Sequence, residues 1–248
     1  VTRQTIQREG RQRVRPSDAA HPPGQPGRSG RTHHADHLGD HPRHLTEGIA
    51  RFQREVLPAK AGLFARLATS HQPGTLFIGC SDARVVPELV TQTDPGELFV
   101  IRTAGNLVPA YAPGTDGIAA SIEYAVAVLG VADIVVCGHS GCGAMTALVE
   151  GHDLRGAPAV AGWLRHADAA QARTAAADRA AGQDRVAALV RANVAAQLTN
   201  LATHPSVARA LAADAVRLHG WVFDIATGAV DDLGDGTPPG ARPEPHPA

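Results

Sequence analysis

Apolar residues in this chain fall into two kinds of pattern that alternate along it. In "LTEGIARFQREVLPAKAGLFARLAT" (45–69) they recur every three or four residues, which predicts a helical stretch with a break at Pro58. "TLFIGCSD" (75–82), "LFVIRTAGN" (98–106) and "DIVVCGHS" (133–140) are short, near-continuous apolar runs that end in polar residues, the signature of buried strands. Between the second and third, "GIAASIEYAVAVLG" (117–130) returns to helical spacing, opening near Asp116 and closing at Gly130. "CGAMTALVE" (142–150) starts another helix, an Ala-rich region over 160–215 reads as helical, and "HGWVFDIATGAVDDL" (219–233) reads as a hairpin-like terminal strand pair. Strands alternating with helices predict an α/β domain: a mainly parallel central sheet flanked by helices, with a long N-terminal helical arm.

The ends of the chain break this pattern. Residues 1–44 are rich in Arg, His, Pro and Gly and almost free of large apolar side chains, so they cannot bury enough surface to offset chain entropy. They are expected to form a disordered extension, whose six histidines read as part of a solvated tail. A Pro-rich tail over 236–248 is expected to behave likewise, leaving 45–235 as the folded domain. No internal repeat is visible.

Composition narrows the function. A formal net charge of −1 argues against a nucleic-acid binder driven by phosphate neutralisation. No apolar run is long enough to span a bilayer, and no apolar signal core follows the first basic residues, so neither membrane insertion nor secretion is expected. Three cysteines do not make a disulfide framework; reduced thiols in a cytoplasmic protein are the expectation.

In parallel sheets the ligand crevice lies just past the carboxyl ends of the strands. The first strand ends in Cys80-Ser81-Asp82-Ala83-Arg84, the second in Arg102-Thr103-Ala104-Gly105-Asn106, and the third in Gly138-His139-Ser140-Gly141-Cys142-Gly143. Cys80, His139 and Cys142 offer two thiolates and an imidazole, a set that suits zinc, and three protein ligands leave a fourth position open as in catalytic sites. Other readings of the same residues stand beside this one. Each Cys is an ordinary small core residue elsewhere, and "GHSGCG" is a Gly-rich turn that can cradle a phosphate at a helix start. The turn lacks the Lys-Ser/Thr of a P-loop, and the Cys-x-x-Cys of redox proteins is replaced by His-x-x-Cys. Cys137, among valines, reads as packing.

Taken together, the two motifs resemble those of the β-class carbonic anhydrases. The family signatures Cys-x-Asp-x-Arg and, about sixty residues on, His-x-x-Cys stand here as Cys80-Ser81-Asp82-Ala83-Arg84 and His139-Ser140-Gly141-Cys142. "LFIGCSDARVVPE", "DPGELFVIRTAGNLV", "SIEYAVAVLGVADIVVCGHSGCGA" and "HGWVFDI" are similar to family segments in the same order, over roughly residues 45–235. The resemblance implies one zinc ion per chain and interconversion of carbon dioxide with bicarbonate and a proton, with hydroxide on the zinc as nucleophile. Two thiolates donate more charge than imidazoles do, which favours alkaline operation.

It also implies roles for single residues. Asp82, held by Arg84, accepts a hydrogen bond from the hydroxide, or closes the site by becoming the fourth ligand. Gly143 contributes a backbone N–H to substrate, and Tyr124 stands where the family often has an active-site tyrosine. His71 occupies the place of a substrate-binding glutamine, with Gln72 beside it. Ser140 and Asn106 read as turn residues. Where some bacterial members bind a regulatory bicarbonate with Trp, Arg and Tyr, this chain has Phe77, Arg102 and Phe223, so inhibition through that pocket is expected to be weak or absent. The family implies a homodimer or homotetramer. Two alternatives remain: a catalytically degenerate zinc module serving as sensor or transporter partner, and a zinc hydrolase of carbonyl sulfide or carbon disulfide.

Overall fold

The computed structural model describes residues 41–114, 116–177 and 184–235. The tail at 236–248 and all of the expected extension except residues 41–44 lie outside the described residues; residues 41–44 already belong to the first helix. The described residues divide between two compact units, the first ending at Ala61 and the second starting at Gly62.

The described part of the first unit is helical. Helix α1 (His41–Arg51) passes into a wider π-helical turn, Phe52–Val56, and then into the short α2 (Leu57–Ala59). The break expected at Pro58 is displaced. Pro58 lies in α2 directly after the π-helical turn, and the helical dihedrals run past it to end at Lys60.

The second unit begins at Gly62, within α3 (Ala61–Leu67), and is built on one sheet. Strands β1 (Thr75–Cys80), β2 (Leu98–Thr103), β3 (Asp133–His139), β4 (Arg217–Phe223) and β5 (Val230–Asp232) lie in the order β2-β1-β3-β4-β5. The first four are parallel and β5 is antiparallel at the edge. This is the expected fold class. Between β1 and β2 runs α4 (Pro87–Thr91), opened by proline and closed by Gln92 at φ 53°. Helix α5 (Gly117–Glu123) follows β2; the Asp116 carboxylate accepts its Ile118 N–H at 3.0 Å, and a π-helical continuation, Tyr124–Val128, leads to Gly130 at φ 70°. Helix α6 (Gly143–Glu150) leaves the His139–Cys142 turn. The Ala-rich region divides into α7 (Pro158–Leu164), α8 (Asp168–Ala177), α9 (Arg185–Leu201) and α10 (Pro205–Ala212).

Strand side chains alternate between faces, so each face has its own core. Leu76, Ile78, Ile134 and Val136 pack with Val194, Leu198 and Leu201 of α9 and with Ile122 of α5. Phe77, Val135, Cys137 and Phe223 pack on the other side with Val85 from the segment after β1. Gly138 and Gly220 let α9 approach: a Cβ at Gly138 would lie 2.9 Å from Val194, and one at Gly220 would lie 2.9 Å from Leu198.

Candidate active site

The parallel register brings the chemistry of distant segments to one edge. Cys80 is the last residue of β1 and His139 the last of β3, with Gly79 paired to Cys137 just before them. The chain then turns through Gly141 at φ 61° and delivers Cys142 to the start of α6. One ligand atom from each of Cys80, His139 and Cys142 lies within 4.8 Å of the other two, and all three residues are buried. His139 Nδ1 donates to the Ser140 carbonyl at 3.0 Å, which leaves Nε2 to present a lone pair. That Nε2 is buried and has no hydrogen-bond partner, although Asp82 Oδ2 stands 3.8 Å away. A buried imidazole nitrogen without a partner is costly unless something else bonds it.

Asp82 follows Cys80 by two residues and is held on several sides. Arg84 donates to it from Nε to Oδ1 at 2.9 Å, from Nη2 to Oδ2 at 2.6 Å, and from its backbone N–H to Oδ1 at 2.9 Å. The same Nη2 reaches the Gly141 carbonyl at 3.2 Å, so Arg84 ties the two motif turns together. The Arg84 guanidinium holds the Asp82 carboxyl well below the usual carboxylate range, against a smaller opposing effect of burial. Asp82 is therefore ionised at any physiological pH.

The three ligands shift one another. The Cys142 S–H stabilises a thiolate on Cys80, outweighing burial, and His139 adds to this, so the Cys80 thiol is pushed well down. Cys142 is pushed up, first by the Cys80 thiolate and then by burial, while the N–H groups of Met145 and Ala144 at the start of α6 pull the other way. Burial alone pushes His139 down, but Cys80 beside it raises it on balance. Protein groups alone thus favour negative charge on Cys80 and keep the proton on Cys142. A divalent cation bonded to two thiolates and the imidazole would replace that proton and partner the orphaned Nε2, so the residues fit zinc.

The remaining expected site residues lie apart from this cluster or at its rim. Gly143 is the first residue of α6, directly after Cys142, and is exposed. His71 and Gln72 precede β1, at the end of the sheet opposite Cys80; β1 alone separates the two ends by about 17 Å. Tyr124 packs at a tilt against Phe99, near the amino end of β2, with ring centroids 6.0 Å apart, and His71 lies 6.3 Å from the same ring. Within one chain these three residues do not meet the metal ligands.

Ser140 and Asn106 do serve turns. Ser140 Oγ accepts the Ile225 N–H at 2.9 Å, and Asn106 is buried at φ 49°. Cys137 packs with Phe77, Val135 and Phe223, and burial pushes its thiol up to about 12. Phe77 and Phe223 are buried in that same apolar cluster, while Arg102 engages backbone carbonyls: Cys80 from Nε at 3.0 Å, and Asp82 and Val85 from Nη2 at 2.5 and 2.6 Å.

One set of supporting residues escaped the sequence reading. Asn193, Gln197 and Asn200 form a stripe along α9 that satisfies the loop after β2. Asn193 Nδ2 donates to the Gly105 carbonyl at 3.0 Å, Gln197 Oε1 accepts the Val108 N–H at 2.9 Å, and Asn200 Nδ2 donates to the Val108 carbonyl at 2.8 Å. Trp163 Nε1 adds a bond to Ala104 O at 2.9 Å. The signal was present as amides at helical spacing, Asn193, Gln197 and Asn200, in a helix rich in Ala, Val and Leu.

Comparison with known proteins places this geometry in context. Residues 75–230 match the family model described as carbonic anhydrase. The chain is 56% identical over 191 residues to a carbonic anhydrase of Pseudomonas aeruginosa, covering 77% of this chain and 87% of that one. It is 53% identical over 188 residues to carbonic anhydrase 1 of Escherichia coli O157:H7, covering 76% and 86%. Among solved structures it superimposes on the β-carbonic anhydrase CcaA with a TM-score of 0.75 at 37% identity, over 79% of this chain and 92% of that one. A tetrameric β-carbonic anhydrase of Sordaria macrospora gives a TM-score of 0.71 at 30% identity, over 79% and 98%.

Proposed function

This chain belongs to the β-class carbonic anhydrases, a family of enzymes, and from that premise we propose that it interconverts carbon dioxide and water with bicarbonate and a proton, using one zinc ion per chain held by Cys80, His139 and Cys142. The observation that carries the reading is the Asp82–Arg84 pair beside the three ligands. A purely structural zinc site has no use for a carboxylate fixed in an ionised state next to a ligand imidazole. This also weighs against a catalytically degenerate module.

When bound, zinc supplies a Lewis acid that lowers the pKa of water far enough for hydroxide to be available near neutral pH. The chain's own residues do the rest. Ionised Asp82 can only accept hydrogen bonds, so it orients the attacking water or hydroxide by taking its proton-bearing side, leaving a lone pair for the carbon of carbon dioxide. Arg84 keeps that carboxylate ionised and fixed through two parallel N–H···O bonds. His139 is held in one tautomer by the Ser140 carbonyl. The Gly143 N–H, at the first turn of α6, has no partner required of it within the helix and is offered to a developing bicarbonate oxygen. The formed Asp82–Arg84 pair supports an open site, in which Asp82 has not taken the fourth ligand position.

Arg102 has no N–H left on Nη2, and Phe77 and Phe223 lack polar atoms, so the regulatory bicarbonate pocket of some bacterial relatives is not a feature of this chain in our reading. A contribution from His71, Gln72 or Tyr124 requires a second chain. An oligomer of two or four chains is supported by the exposed apolar stripe Leu45, Ile49, Phe52 and Val56 of the arm and by the tetrameric relative. No helix among the described residues is long and apolar enough to cross a membrane, and the free buried thiols Cys80, Cys137 and Cys142 suit a reducing cytoplasm.

The test is zinc analysis of protein purified under reducing conditions, with carbon dioxide hydration followed by stopped flow from about pH 6.5 to about 9. One zinc per chain with activity rising towards alkaline pH is expected. A fully zinc-loaded protein that is inactive throughout would overturn the reading and turn attention to carbonyl sulfide or carbon disulfide.

A further inference from the structure

We infer that Arg102 is a positioning residue for this reaction: its guanidinium clamps the backbone of the Cys80–Val85 turn and thereby sets where Asp82 stands relative to the metal ligands. The inference rests on the proposed hydration reaction for its kinetic consequence and on hydrogen bonding alone for its structural one.

The turn needs such a clamp because it has left the sheet. Its last ladder-like bond runs from the Ser81 N–H to the Thr103 carbonyl at 2.9 Å, and the Val85 N–H to the Asp82 carbonyl closes the turn at 3.0 Å. Arg102, on β2 opposite Gly79 in register, reaches over from the neighbouring strand. Its Nε–H donates to the carbonyl of Cys80, a metal ligand; one Nη2 hydrogen goes to the carbonyl of Asp82 and the other to that of Val85. Three carbonyls within six residues are thus fixed by one planar group.

Arg84 and Arg102 divide the task between them. Arg84 orients the Asp82 carboxylate, and Arg102 fixes the backbone from which that carboxylate hangs. Neither edge of the Arg102 guanidinium can bind an oxyanion in the two-pronged way. Each edge needs an Nη2 hydrogen, and both of these are engaged. Lysine carries the same charge but no fork, so it cannot meet three carbonyls in this geometry.

The experiment compares Arg102→Met and Arg102→Lys with the unaltered protein by zinc content, by the rate of zinc transfer to an excess of a chromogenic chelator, and by kcat and KM for carbon dioxide hydration. Both variants are expected to bind one zinc per chain, because Cys80, His139 and Cys142 are unchanged. Zinc release is expected to quicken by about tenfold and kcat to fall on the order of tenfold to a hundredfold, with KM within about twofold. Arg102→Lys should recover little of the loss. Release rate and kcat within about twofold of the unaltered protein in either variant would overturn the inference, as would full rescue by lysine, which would assign the role to charge. If Arg102→Met does not fold, Arg102→Lys, which keeps the stem and the charge, carries the same comparison. If the unaltered protein holds zinc but hydrates no carbon dioxide, the reaction is wrong, and the zinc-release comparison still decides whether Arg102 is a clamp.

Discussion

Gly138→Ala probes how closely helix α9 holds the strand that carries His139. The added Cβ would sit 2.9 Å from Val194 Cγ2 and 3.0 Å from Val190 Cγ1, both on α9. Real carbon contacts need about 3.5 Å or more, so helix or strand must move by about half an ångström. Val190 and Val194 are themselves buried, which leaves them no free side to turn towards. Overpacking of this kind costs about 1–3 kcal/mol. Opposing it, replacing glycine by alanine narrows the unfolded ensemble and returns about 0.4–1 kcal/mol. The net expectation is a loss of about 1–2 kcal/mol, a fall in Tm of roughly 2–8 °C for a domain of this size. Thermal unfolding followed by circular dichroism reads this directly. The companion test is Gly138→Ala combined with Val194→Ala, which removes the nearest obstructing methyl. The pair should lose less stability than the two single changes added together, by at least about 0.5 kcal/mol. A Gly138→Ala protein that melts at or above the unaltered Tm would show that the α9 contact is slack and refute the close-approach argument.

Other perturbations reach the site and its supports. Asp82→Asn keeps shape but removes the charge that Arg84 grips; zinc should stay at one per chain by metal analysis while stopped-flow hydration falls on the order of a hundredfold. Cys137 is held protonated by burial at a pKa of about 12, so after zinc removal Cys80 should be alkylated before Cys137 at about pH 8, as read by peptide mass spectrometry. Arg217, first, and His219 depress the pKa of Asp133, through bonds of 2.9 Å and 2.8 Å. A depressed carboxylate stabilises the fold above its unfolded pKa, near 3.8, and loses that contribution as pH falls through the folded value. The Tm gap between the unaltered protein and Arg217→Gln should therefore be widest above about pH 5 and close in stronger acid, as measured by calorimetry across that range.

What the sequence revealed and what it concealed have separate physical causes. Strands β1 and β3 were legible because a strand buried on both faces is a short apolar run; β2, half-buried at the sheet edge, shows a similar run, and the polar exits of β1 and β3 marked the place where Cys80, Asp82, His139 and Cys142 meet. The Ala-rich region was legible as helix but not as four helices, since alanine has too little side chain to show a face; the prolines that open α7 and α10 were the available markers. Helix α4 is only five residues long, too short for any period to appear. The polar stripe of α9 was visible in sequence, yet its partner loop lies about ninety residues away, beyond what spacing can connect. The same limit hid the contacts of Arg102, named from sequence only as a pocket residue: its three acceptors are backbone atoms and leave no trace in side-chain patterns.

The placement of the ligands dictates an order of events in maturation. Cys80 and His139 close two strands that pair directly in space, but β2, α5 and their connections are threaded between them along the chain. Parallel pairing across so long a crossover is among the slower steps a chain can take. The three-residue cluster is therefore complete only in a finished protein, once β1 and β3 have paired. In that finished protein His139, Cys142 and Cys80 are walled in, and the partly accessible group beside them is Asp82. The turn that carries Asp82 and Arg84 is thus also the side on which the buried ligand cluster comes nearest to solvent.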